Sequence, residues 1–312
     1  MRRENNGVVV VGSANMDLVA KVARFPEPGE TVLGASFEMF PGGKGANQAV
    51  ACAKLGGKVE FIARMGKDIY RDTLAATMTR AGVGLGHVFV DSGVPTGTAL
   101  ITVDSRGQNE IVVISGSNMM LTPEDVCGKE NVFAPAAITL LQLEIPLETV
   151  VRAAEVAQAH GHTIILNPAP ARKLPRRLLK LVDILTPNES EAELLTGIPV
   201  TGLSSAGRAG KALLATGVKR VILTMGSRGC LLVTAASTRA FPARKVKAVD
   251  STAAGDAFNG ALAFALAEGR KLEDAVEFAG SVAAFSVTRM GAQRSMPTMR
   301  ELKAFISRRG SS

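Results

Sequence analysis

Asp256 stands in a segment suited to close approach of a ligand, Val249-Asp250-Ser251-Thr252-Ala253-Ala254-Gly255-Asp256-Ala257-Phe258-Asn259-Gly260-Ala261. Small residues and a glycine ahead of the acid let the backbone come near an anion, and a helix beginning near Gly255 would aim unpaired N–H groups at it. Negative charge developing on a transferred phosphoryl group would be stabilised there. An acid in that helix's first turn is placed to accept the proton of an attacking hydroxyl. Complementing the helix dipole would also account for Asp256. The small-residue turn, and a second acid at Asp250 closing the preceding strand, set this helix start apart from a routine one.

Four further segments carry groups of the right type. Phe40-Pro41-Gly42-Gly43-Lys44-Gly45-Ala46-Asn47-Gln48-Ala49 is glycine-rich and opens a helix, but it is not a Walker A loop, because Lys44 is followed by Gly45 rather than Ser or Thr. Asn15-Met16-Asp17 follows the first strand, where parallel sheets present ligand contacts, and an Asn with an Asp suits vicinal hydroxyls. Both are equally ordinary turn residues. Glu144 ends a strand and could face the same cleft or the solvent. Thr186-Pro187-Asn188-Glu189-Ser190-Glu191-Ala192-Glu193 starts a helix whose early acids could complement its dipole; Asn188 and Glu191, three apart, also suit outer-shell water ligands of a phosphate-bound Mg²⁺. Thr224-Met225-Gly226-Ser227-Arg228-Gly229 ends a strand in a tight turn, a nucleotide contact or a plain hairpin. His87, His160 and His162 have no spacing that makes a triad or a zinc site.

The elements that must position these residues alternate between short β-branched runs and helix-length amphipathic stretches, which predicts an α/β fold around a mostly parallel sheet. Buried strands are predicted at Val8–Val11, Glu60–Ala63, Ile138–Leu143, Thr163–Leu166, Ile184–Leu185 and Val221–Thr224. Helices are predicted at Ala46–Leu55, Leu147–His160, Gly255–Glu268, Leu272–Val287 and Thr298–Ser307. Residues 18–40 and 98–115 alternate and carry turn chemistry such as Asp104-Ser105-Arg106-Gly107, which predicts antiparallel hairpins in a small sheet standing off the main body. With no repeat, low-complexity tract or linker, the chain reads as one domain over 1–312.

A chain of 312 residues, 46% hydrophobic, can bury a large core. The apolar run behind Arg2 and Arg3 stops at Gly12, too short for a signal-peptide core, and nothing reaches the ~18 apolar residues a membrane helix needs. Cys52, Cys127 and Cys230 form neither a CxxC pattern nor an even-numbered disulfide framework, so a reducing cytoplasm fits. The net charge of +8 is scattered, its densest patches being 172–177 and Arg308–Arg309, and with one Tyr and no Trp nucleic acid is not an expected partner. The run Gly82-Val83-Gly84-Leu85-Gly86 follows a helix rather than a strand, the wrong context for a dinucleotide fold.

Taken together, residues 42–49, Asn167-Pro168-Ala169-Pro170-Ala171, Thr186–Gly197, Gly226–Gly229 and Asp250–Gly260 resemble the ribokinase or phosphofructokinase-B family of sugar kinases over nearly the whole chain. The resemblance implies a ribokinase-like sandwich whose β lid closes over the sugar and can pair with another subunit's lid in a homodimer. It implies that Asn15, Asp17, Gly43, Lys44, Asn47 and Glu144 hold sugar hydroxyls, ribose first among candidate sugars and deoxyribose or fructose next. It makes Asp256 the base and Ala253, Ala254 and Gly255 the anion hole. Asn188, Thr224, Met225, Gly226, Ser227, Arg228, Gly229 and Gly255 would meet ATP, Asn188 and Glu191 would support Mg²⁺ through water, and Asp250, Thr252, Ser286, Arg289, Gly291 and Ser295 match a potassium loop. Gly280 departs from the pattern, standing where relatives carry a larger polar residue near adenine. A non-catalytic sugar sensor on the same fold would have no need of the acid at 256.

Overall fold

Alternate residues of each strand predicted to be buried go to opposite apolar cores. The computed structural model describes residues 6–307, leaving Arg2, Arg3 and Arg308–Arg309 outside the described residues. Its strands are β1 (Gly7–Val11), β2 (Asn15–Val22), β3 (Gly34–Gly42), β4 (Lys58–Gly66), β5 (Val83–Asp91), β6 (Gly97–Val103), β7 (Asn109–Ile114), β8 (Ala136–Leu141), β9 (Thr163–Leu166), β10 (Ile184–Leu185), β11 (Arg220–Thr224), β12 (Cys230–Val233) and β13 (Thr238–Phe241). Its helices are α1 (Lys44–Lys54), α2 (Ile69–Ala81), α3 (Pro123–Cys127), α4 (Leu147–Ala159), α5 (Arg176–Leu181), α6 (Glu189–Thr196), α7 (Leu203–Leu214), α8 (Ala254–Ala267), α9 (Leu272–Ser286), α10 (Ala292–Ser295) and α11 (Met299–Ser307).

The large sheet runs β13-β12-β11-β10-β9-β8-β1-β4-β5, parallel from β5 to β11 and closed at the other edge by an antiparallel pair. Val8, Val10, Leu140, Ile165 and Ile222 face a core shared with α1, α8 and α9. Val9, Val11, Leu141, Ile164 and Leu223 face a second core under α4 and α7. Both faces are therefore covered, as parallel strands require. Among the described residues no helix is long and apolar enough to cross a membrane.

The second sheet has the order β3-β2-β6-β7 and comprises the two stretches read as a separate small sheet. Its two hairpins, β2 with β3 and β6 with β7, are antiparallel as expected, and the central pair that joins them, β2 with β6, is parallel. Those two strands belong to different hairpins, joined through α1, β4, α2 and β5, so no tight turn sets their relative direction. Because only three residues separate the end of β1 at Val11 from the start of β2 at Asn15, the small sheet is joined directly to the C-terminal edge of the large one.

Candidate active site

Asp256 lies in the first turn of α8 and is 6% exposed. Its carboxylate is held from α1: Asn47 Nδ2 donates to Oδ2 at 3.0 Å and Gln48 Nε2 to Oδ1 at 2.9 Å. Gly260 on α8 makes this possible, since a Cβ there would lie 2.6 Å from that of Ala51 and 3.0 Å from the Cys52 nitrogen on α1. The helix is entered through Ala253, which at φ 58° is the one non-glycine residue at positive φ among the described residues. Such strain costs about 1–2 kcal/mol and persists where the site over-determines the backbone. Ala254 N–H donates to the Ser251 carbonyl and Ala257 N–H to that of Ala253, whereas the Gly255 and Asp256 N–H groups precede the helical ladder. A Cβ at Gly255 would meet nothing within 4 Å, so the start of this helix borders open space.

Behind the acid runs a buried relay of amides. Gln142 Nε2 donates to Gln48 Oε1 (2.7 Å), Gln48 Nε2 to Asn167 Oδ1 (3.1 Å) and Asn167 Nδ2 to the Thr186 carbonyl (3.3 Å). Thr186 Oγ1 donates to Asn259 Oδ1 (2.6 Å), and Asn259 Nδ2 to the Gly255 carbonyl (2.8 Å). None of these five residues was assigned a role from sequence. The available signal was a polar residue at or just past the C-terminal end of an apolar strand, as Gln142, Asn167 and Thr186 are.

The sugar-side residues predicted from sequence converge. Asn15 and Asp17 share one face of β2, and Asn15 is fixed by Asn118, whose Nδ2 donates to Asn15 Oδ1 at 2.7 Å while its Oδ1 accepts from Ala14 N–H at 2.9 Å. Asn118 is a further residue that sequence reasoning missed. Glu144 faces the cleft, accepting from Ser13 Oγ (2.5 Å) and from Lys44 N–H at the start of α1 (2.9 Å). Gly43, at φ 85°, brings α1 against β2: a Cβ there would sit 2.6 Å from the Asn15 nitrogen. Burial, with Glu144 and Asp256 adding repulsion against a smaller pull from Lys44, raises the Asp17 carboxyl from 3.8 to about 7. Burial alone would lower Lys44, but Asp256, Glu144, Glu191 and Asp17 outweigh it and raise its pKa. Burial raises Glu191, against the pull of the Asn188 N–H and Lys44. One lysine thus sits among four carboxylates, and the buried Asn47 Oδ1 beside Asp256 has no partner. That is a set of acceptors for hydroxyl groups next to a held base.

On the other flank, Asn188 caps α6 in a reciprocal box with Glu191: Asn188 Oδ1 accepts from Glu191 N–H (2.8 Å), and Glu191 Oε2 accepts from Asn188 N–H (2.9 Å). Thr224 bridges to Asn188 and donates its N–H to the Pro187 carbonyl, so the ends of β10 and β11 adjoin. Gly226–Arg228 form a 3₁₀ turn joining β11 to β12, so Thr224–Gly229 is a hairpin within the sheet. Met225 is buried, and Arg228 pairs with Glu189. Gly280 lies on α9 with open space before its Cα.

The profile of the pfkB family of carbohydrate kinases matches residues 5–299. The chain belongs to that family. It is 40% identical over 299 residues to ribokinase of Staphylococcus aureus, covering 95% of this chain and 98% of that one. A crystal structure of ribokinase from Thermotoga maritima is 43% identical with a TM-score of 0.89, covering 96% of this chain and 99% of the other. The structure of Arabidopsis thaliana ribokinase complexed with ribose and ATP is 33% identical with a TM-score of 0.90, covering 96% and 98%.

In this pfkB-family chain the segments matched to a potassium loop are pinned together by Asp250. Its carboxylate accepts from Thr252 N–H (2.9 Å) and Gly291 N–H (2.8 Å), bonds that lower its pKa although burial opposes them. Asp250 lies in a loop rather than at the end of a strand, because its N–H and that of Val249 are taken by the Val287 carbonyl at the end of α9 instead of a neighbouring strand. Ser286 and Ser295 hydroxyls donate to carbonyls of their own turns, and Arg289 pairs with Glu301. Among the described residues no group of three or more His, Cys, Asp or Glu could hold a metal ion.

Proposed function

We propose that this chain transfers the γ-phosphoryl group of ATP to the 5-hydroxyl of D-ribose. The observation that carries this is Asp256: a buried carboxylate gripped by Asn47 and Gln48, beside open N–H donors and facing Asn15, Asp17, Lys44 and Glu144. Asn15, Asp17, Gly43, Lys44, Asn47 and Glu144 orient the sugar, and Asp256 accepts the proton as the hydroxyl oxygen attacks phosphorus. Ala253, Ala254 and Gly255 form the anion-hole turn, whose free donors are the Gly255 and Asp256 N–H groups, since Ala254 N–H is taken by the Ser251 carbonyl. Positioning and charge stabilisation contribute most of the acceleration in phosphoryl transfer, with the base adding to them.

Nucleotide contacts fall to Asn188 and the Thr224–Gly229 hairpin, at the C-terminal ends of adjacent strands where α/β sheets bind ligands, with Gly280 leaving room near the base. The buried Glu191 carboxylate, its charge coupled to Lys44 and Asp256, fits an outer-shell role toward Mg²⁺. Such an ion would be held mainly by phosphates and water and would neutralise charge on the transferred group. The loops joined by Asp250 fit a monovalent cation such as K⁺ bound by backbone carbonyls, since their serine hydroxyls already have partners. The four-stranded sheet serves as the lid of a single domain and as the contact for a second copy. The free thiols Cys52, Cys127 and Cys230 suit a reducing cytoplasm.

The test is ADP release with Mg-ATP over ribose, deoxyribose, fructose, ribulose and adenosine, each in potassium and in sodium, for the parent and Asp256→Asn. Ribose-dependent turnover, raised by potassium and lowered about 10²–10⁴-fold in Asp256→Asn, is expected. Near-normal turnover in that variant sinks the base, preference for another sugar reassigns the pocket, and sugar binding without turnover means a sensor.

A further inference from the structure

A cavity of about 590 Å³ opens between the second half of α1, α2, the last residues of β3 and α10. None of its lining residues is among those placed above in the sugar or nucleotide cleft. Val50, Ala53, Ala81 and Phe40 give it an apolar base. Its charged lining is all of one sign, Lys54, Arg80 and Arg294; Thr73, Thr77 and Thr298 add hydroxyl oxygens, whose protons already go to the Ile69 and Thr73 carbonyls and, behind the wall, to Glu301. Lys54 Nζ donates to the Gln293 and Met296 carbonyls, which fixes it in the wall. Arg80 donates through Nε to the Ala76 carbonyl, and Arg294 lies over the Phe40 ring; neither guanidinium has a carboxylate partner among the described residues.

The decisive feature is Gln293. It is 3% exposed and belongs to the cavity wall, while its side-chain nitrogen and oxygen, closed off behind that wall, lack a hydrogen-bond partner. A buried amide in that condition costs free energy with no structural return. Guanidinium groups without carboxylates match phosphate oxygens. Turned toward the cavity, the Gln293 amide would both donate to and accept from hydroxyls, and the apolar base suits a carbon skeleton. The volume is that of a small-molecule site rather than a bare-ion site.

We propose that this cavity binds a phosphate monoester of a small polyhydroxylated molecule, of sugar-phosphate size, at a site separate from the catalytic cleft. Glucose 6-phosphate, glucose and inorganic phosphate serve as probes in titration calorimetry on the full chain saturated with ribose and ADP. Saturable one-to-one binding of glucose 6-phosphate at or below about 1 mM is expected, tighter than either fragment. It should weaken at least about tenfold in Arg80→Gln, in Arg294→Gln and in Gln293→Met, corresponding to loss of one charge-assisted or amide contact, and persist in Asp256→Asn. Absence of saturable binding, binding unchanged in the cavity variants, or inorganic phosphate binding as tightly as the ester would each overturn the proposal. Melting of the ligand-free Gln293→Met protein gives a second readout. Removing an unpartnered amide should raise its melting temperature, and a lowered one would show that the amide already has structural work and would overturn the premise.

Discussion

Asp17 makes the charge arrangement of the cleft measurable. Its carboxyl is raised from 3.8 to about 7 by burial and by the neighbouring acids, Glu144 ahead of Asp256. Sugar hydroxyls donate best to an ionised acceptor, so ribose affinity should rise with pH through about 7. A plot of kcat/KM for ribose between about pH 5.5 and 8.5 reports free-enzyme ionisations; it should carry a rising limb near 7 that Asp17→Asn removes. The same variant should raise KM about 10–100-fold, the usual loss for a bond to a charged group. A limb unchanged in Asp17→Asn would assign it to another group. The linkage has a definite sign. Because the folded pKa lies above the unfolded one, this group's stabilising contribution is full below about 4 and is lost as pH rises through about 7. Ribose should therefore protect against thermal unfolding more strongly at pH 8 than at pH 6.

Elements explain which parts of this site were legible. Strands buried on both faces announce themselves as continuous β-branched runs, and β1, β8, β9, β10 and β11 fall where those runs lie. The start of α8 and the glycines before α1 carry their chemistry in a few consecutive letters. Several elements escaped, two of them for opposite reasons. Only Leu74 and Met78 of α2 are buried, which leaves too narrow an apolar stripe to read. The edge strand β5 is interrupted by Gly84 and Gly86, and its exposed side has no partner to demand a pattern. The relay through Gln48, Gln142, Asn167 and Thr186 was illegible because its members come from four elements that meet only in the folded sheet. Gly43 shows how tightly that meeting is set. An alanine there would place Cβ 2.6 Å from the Asn15 nitrogen and 2.7 Å from the Ala14 Cα at a φ of 85°. Gly43→Ala should cost about 1–3 kcal/mol in denaturant unfolding and should raise ribose KM by displacing Asn15 and Lys44. A variant with unchanged stability and KM would show that the turn yields.

At the scale of the whole molecule, the four-stranded sheet carries exposed apolar residues beside Asp17. Asp17 lies opposite Ala99, and Ala99 opposite Val113, so these share one face. The next row outward on that face is Val19, Ile101 and Ile111. Ile111 is 52% and Val113 54% exposed, which makes the sugar-facing surface of β2 continue into an uncovered apolar strip. Contiguous patches of this kind mark interfaces, and a second copy offering the same strip would cover it isologously while closing over both sugar sites. A chain of 32.5 kDa should therefore run in solution at twice that mass by light scattering. Ile111→Asp places a carboxylate in the middle of the strip and should give the single-chain mass. Because the strip adjoins Asp17, the monomer should also bind ribose more weakly, while the proposed nucleotide contacts at Asn188 and Thr224 should be unaffected. A dimeric Ile111→Asp protein would place the interface elsewhere. A monomer with unchanged ribose KM would separate dimer formation from the sugar site and leave the lid to act within one chain.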